Sequence, residues 1–177
     1  MRFTTLLLMA ALAAVSAPAA AQGPSAGSPR EYQLTMLEHQ RKLLLAMVDS
    51  MPERHYRDRA APGQRDFAQQ IHHAANAAGY IASTMMNGPK LALPDTAAAL
   101  ASRAGLRGFV NAAYDYAAAL LRDQSAEARA ETVSLFDHPM PRWQVWDEIH
   151  AHTVWTAGQA VANFRKHGMA PPAFTLF

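Results

Sequence analysis

Apolar residues recur at intervals of three and four along four stretches of this chain and nowhere alternate, which restricts it to packed amphipathic helices. Leu34, Leu37, Leu44, Met47, Val48 and Met51 form the first stripe, and Met51-Pro52 closes it. Asp66 is placed to cap a second helix whose apolar positions are Phe67, Ile71, Ala74, Ala75, Ala78, Ala82 and Met85. Asn87-Gly88-Pro89 ends it. The third helical region is alanine-rich and clearest from Gly108 to Arg122, with Phe109, Val110, Ala113, Tyr114, Ala117, Leu120 and Leu121 on one broad side.

Residues 123–141 read as a connection with one helical turn near Ala126 to Ala130. A fourth helix is expected from Pro141, a favourable first-turn proline, to His167, with Gly168 and Pro171-Pro172 as its stop. Four such helices around one core predict an all-α four-helix bundle.

The first 21 residues read differently. Met1-Arg2 gives a positive start, and the apolar run from Leu6 to Val15 is too short to span a bilayer. Ala19-Ala20-Ala21 offers the small-x-small pattern that a signal peptidase reads before Gln22. The expected organisation is therefore a cleavable signal over 1–21, a flexible leader over 22–30, the bundle over 31–172 and a short tail over 173–177. The mature chain is expected in the periplasm or outside the cell, with no membrane segment once the signal is removed.

Composition excludes several chemistries. There is no cysteine, so disulfides, thiolate metal sites and a thiol nucleophile are absent. A formal charge of +2 gives no electrostatic case for a nucleic-acid partner. Eight histidines remain as the plentiful metal-type ligands. His152 shares a stripe of the fourth helix with Val145, Ile149, Thr156, Ala160 and Asn163, and so faces the bundle groove. Alone, such a residue is a hydrogen-bonded core histidine; a second ligand one turn on would make a metal pair, but that position is Thr156, a poor ligand. His72 and His73 diverge by about 100° around the second helix, so periodicity does not choose between them. His150 points away from His152, and His39, His55, His138 and His167 read as surface imidazoles.

Four segments then come in a familiar order: Met51-Pro-Glu-Arg-His-Tyr56, Asp66-Phe-Ala-Gln-Gln-Ile-His-His73, His152-Thr-Val-Trp-Thr-Ala-Gly-Gln159, and Phe164-Arg165 with Gly168 and Pro171-Pro172. In this order the chain resembles the DinB/YfiT-like superfamily, particularly its secreted bacterial members. The resemblance implies a four-helix bundle, often a homodimer, in which three histidines hold one divalent metal, nickel or zinc. Carried over, the second-helix ligand falls on His73, six positions after Phe67, with His72 as the fallback. The first fourth-helix ligand falls on His152 and the second on Thr156, which departs from the pattern. Gly158-Gln159 matches the family's Gly-Gln, read as close helix approach and an amide bonding within the groove.

Two functional readings follow. The favoured one is a non-catalytic extracytoplasmic bundle that binds a small molecule or a partner, with a groove lined by Trp146, Trp155, Tyr80, Tyr114 and methionines. The alternative is a metal-dependent hydrolase or thiol-transferase-like enzyme working at His73 and His152, against which the missing third ligand counts.

Overall fold

Side-chain oxygens decide where the helices begin. In the computed structural model, which describes residues 28–174, the Ser28 hydroxyl accepts from the Glu31 amide while the Glu31 carboxylate accepts from the Ser28 amide. This capping box, with Pro29 in the first turn, starts α1 (Pro29–Ser50) two residues ahead of the expected Glu31. Asp66 and Gln69 make the same reciprocal pair, at 2.8 and 3.1 Å, for α2 (Phe67–Tyr80). Asp95 caps the short α3 (Thr96–Ala101), Ser102 caps α4 (Arg103–Asp123) and Ser125 caps α5 (Ala126–Ala130). The expected signal segment and most of the expected leader lie outside the described residues.

Beyond Tyr80 the chain continues as a π-helical turn, Ile81–Met85, and Asn87 leaves it with φ 53°. The last helix, α6, spans Arg142–Lys166; Pro141 is its extended cap and not its first turn. Its other end is a Schellman closure: Gly168, at φ 68°, donates to the Arg165 carbonyl and Met169 to that of Phe164.

The expected all-helical fold needs one correction. Residues 132–141, read as connection, form an antiparallel hairpin of β1 (Thr132–Leu135) and β2 (His138–Pro141). Its two-residue turn, Phe136-Asp137, has φ of 48° and 67°, the handedness that suits a tight hairpin although neither residue is glycine. The fold is thus a helical bundle with a small two-stranded appendage, which Arg142 ties down through hydrogen bonds to the Ala128 and Met86 carbonyls and an ion pair with Glu131.

α2 packs between α4 and α6, and α1 closes the bundle against both of those helices. The core they share includes Leu44, Val48, Phe67, Ile71, Leu106, Val110, Val145 and Phe164. A polar thread runs through it: the Tyr114 hydroxyl donates to Gln40 Oε1 and lies 3.2 Å from the Thr153 hydroxyl, while Gln40 Nε2 meets His150 Nδ1 at 3.0 Å. His150, turned away from His152 as its spacing requires, is thereby engaged with α1. Among the described residues no helix is long and apolar enough to cross a membrane.

Asp66 is nearly fully buried, caps α2 and pairs with Arg57 at 3.0 Å. Asp66→Ala is therefore expected to cost about 1–2 kcal/mol, with Asp66→Asn retaining the cap and losing less. Urea unfolding of the two variants measures the difference.

Candidate functional site

α2 and α6 run antiparallel, and the seam between them is polar where most of the bundle is not. Gln70 sits one turn before His73, is buried, and donates its amide to the Thr156 carbonyl at 3.1 Å and to Gln159 Oε1 at 3.2 Å. One turn further along, the rings of His73 and His152 meet edge to face with centroids 5.2 Å apart. His72 turns instead onto Phe109 of α4, at 4.0 Å. The structure thus sets His73, not His72, beside α6.

Burial pushes His72, His73 and His152 below the ordinary imidazole value, and the Arg65 cation pushes the latter two the same way. All three are accordingly neutral at pH 7, the form in which imidazole binds metal. His152 Nδ1 is buried with no hydrogen-bond partner. Two imidazoles sharing an ion through bonds of about 2.0–2.1 Å, at a tetrahedral angle, hold their centroids about 5 Å apart, so the spacing suits a shared cation.

The rest of the surroundings does not. Thr156, at the third ligand's position, is buried and offers only a hydroxyl, and Arg65 opposes a second positive charge. The residues present supply two of the three ligands that the resemblance implies, which is not a complete mononuclear site.

Beside this pair an open cleft of about 400 Å³ is lined by Gly63, Gln64, Arg65, Gln70, Gln159 and Asn163. Arg65 also borders a smaller depression of about 280 Å³ with Gln69, His72, His73 and Asn76. The expected aromatic groove is not there. Trp146 and Tyr114 are core residues, while Trp155 is 74% and Tyr80 46% exposed, pointing away from the bundle. The seam holds amides and a guanidinium instead. Gly158 is likewise exposed, with nothing within 4 Å of where a Cβ would stand, so no close helix approach depends on it. Gln159 does bond across the seam, to Gln70.

Two histidines read as surface groups are not isolated. His55 and His167 stack on one another at 3.7 Å, and both approach Oδ2 of Asp58, at the end of the same seam. The available signal was the α6 stripe itself, which continues from His152 through Thr156, Gln159 and Asn163 to His167 in steps of three and four. Its partners lie in the Pro52–Asp66 connection, over a hundred residues earlier, where no periodicity points. His138 is exposed in the hairpin, as expected of it.

The sequence profile of the DinB superfamily matches residues 36–155. The crystal structure of a DinB-like protein from Bacillus cereus is similar to this fold with a TM-score of 0.70, at 15% identity, over 82% of this chain and 97% of that one. Among curated proteins none matches the chain. With the helical architecture in place and the profile matched over more than half its length, this chain belongs to the DinB superfamily.

Proposed function

We propose that the chain is an extracytoplasmic DinB-fold bundle that binds a small acidic molecule without transforming it, and that the His73–His152 pair is a weakened remnant of a divalent-metal site. The observation that carries this reading is the cleft formed by Arg65, Gln70, Gln159 and Asn163 immediately beside the pair. A guanidinium recognises a carboxylate through two parallel hydrogen bonds, and primary amides complement the remaining polar groups of such a ligand. The leader-like first 21 residues support the compartment.

Catalysis by a nickel or zinc ion, the competing reading, asks for a third ligand that Thr156 does not provide. A lone nucleophile is no better supported, because the Ser83 hydroxyl is spent on the Tyr80 carbonyl. His73 and His152 stand here as neutral imidazoles next to the cleft, His73 lining the smaller depression that Arg65 shares with it.

A thermal-shift screen of mono- and dicarboxylates in the presence of EDTA tests the binding reading. At least one compound is expected to raise Tm, and Arg65→Ala should abolish the rise; a rise that requires added metal contradicts it.

Thr156→His restores the third ligand and should strengthen nickel or zinc binding at least tenfold by calorimetry. Unchanged affinity would mean that the seam geometry does not place residue 156 toward the pair.

The depressed imidazoles also fix a pH dependence. As pH falls through the ordinary imidazole value of 6.5, the unfolded chain takes up protons before the folded one, so stability is complete above that pH and declines below it. In EDTA, Tm is expected to fall between pH 7.5 and 5.5, and the His73→Gln/His152→Gln double variant to flatten that slope.

A further inference from the structure

Where the Pro52–Asp66 connection meets the last turn of α6, two imidazoles and a carboxylate converge on one point. A 3-10 turn, Glu53–His55, presents His55, whose Nδ1 lies 2.9 Å from Asp58 Oδ2. His167 Nε2 lies 3.2 Å from the same oxygen, yet off the hydrogen-bonding axis, so this buried nitrogen has no hydrogen-bond partner. Among the described residues this is the one set of three histidine or acidic side chains whose ligating atoms all fall within 4.8 Å of one another. We propose that His55, Asp58 and His167 form a divalent-cation site, suited to zinc or a similar first-row ion and separate from the His73–His152 pair.

The ligand atoms already stand near coordination distance, and the two imidazole rings, stacked at 3.7 Å, part by about an ångström to share an ion. With metal bonds of about 2.0–2.2 Å, two ligand atoms at angles between octahedral and tetrahedral stand about 2.8–3.6 Å apart. The two observed edges, 2.9 and 3.2 Å, lie within that range. Two histidines and one carboxylate are a sufficient protein set for zinc, leaving a fourth position for water. The three side chains are 21%, 38% and 16% exposed, so one face stays open to solvent for that water.

The ligands are also held before any ion arrives. The Asp58 carbonyl accepts from the Phe67 amide at 3.2 Å and from Asn163 Nδ2 at 2.8 Å, and its own amide donates to the His55 carbonyl at 3.1 Å. His167 is fixed by the Schellman closure at Gly168.

Charge favours a cation as well. Asp58 brings a carboxylate to the cluster, its Oδ2 facing both imidazoles. His167 stands at the negative end of the 25-residue α6. Of the cationic side chains nearby among the described residues, Arg57 is paired with Asp66, while Lys166, which donates to the Arg59 carbonyl, keeps its charge and is the one cation that opposes an ion at Asp58. An ion here would tie the connection to the end of α6, about 22 Å of helix rise from His152.

Calorimetric titration of the chelator-stripped chain with zinc tests this. One ion per chain is expected, with affinity kept within about threefold in the His73→Ala/His152→Ala double variant and lowered at least tenfold in His167→Gln and in Asp58→Asn. Full binding in both of the latter, or its loss in the double variant, would overturn the proposal. Because Asp58 also orders the connection, Tm in EDTA serves as the folding control, and His55→Gln replaces Asp58→Asn if that variant unfolds. Cobalt supplies the second readout: its visible ligand-field bands should appear in the parent and vanish in His167→Gln. The carboxylate-binding reading of the Arg65 cleft stands or falls separately, since its screen is run in EDTA.

Discussion

The bundle depends on how closely α2 lies against its neighbours. Its inward positions are mostly small: Ala68, Ala74, Ala75 and Ala78 are completely buried, with Phe67 and Ile71 filling the wider spaces. A helix with so little side-chain bulk can sit between α4 and α6 and still exclude water from both seams. The polar groups on it must then find partners on the opposing helix, because burying them unpaired costs more than the contact returns. Gln70 does so by bridging Thr156 and Gln159, and His73 arrives beside His152 as a consequence of the same register.

That register turns one face of α6 into a line of chemistry. His152, Thr156, Gln159, Asn163 and His167 follow one another along the seam and meet in turn His73, Gln70 and Asp58. At the His152 end, two neutral imidazoles face a guanidinium. At the His167 end, two stacked imidazoles share one carboxylate oxygen. Both ends can offer nitrogen to a cation, but only the second also offers negative charge, and at short range in a partly buried setting that sign decides which end a divalent ion prefers. Between them, Arg65 and four side-chain amides line the cleft for which an acidic ligand is proposed. The seam therefore separates an anion-favouring middle from a cation-favouring end.

Much of this was legible in the sequence where the cause was local. Asp66 declared itself as a cap, Gly168 as a stop, and the four amphipathic stripes fixed the bundle. The hairpin was not, because its strands are four residues each, carry Pro139 and Pro141, and turn through Phe136 and Asp137 in place of the usual glycine. Trp155 misled for a related reason: a large aromatic at helical spacing reads as core, and nothing local reveals that α6 turns that position to solvent. The pairing of His73 with His152 came from the family resemblance, since their own helices left His72 equally eligible. The cluster of His55, Asp58 and His167 lay beyond reach because its members join only when the chain closes on itself across 109 positions.

The claim that divalent cations are held at the end of the seam, and not between His73 and His152, is met most directly by diffraction at the zinc absorption edge from crystals grown with one equivalent of zinc. The expected result is a strong anomalous peak bounded by His55, Asp58 and His167, with none of comparable height between His73 and His152. A principal peak between His73 and His152 would contradict it.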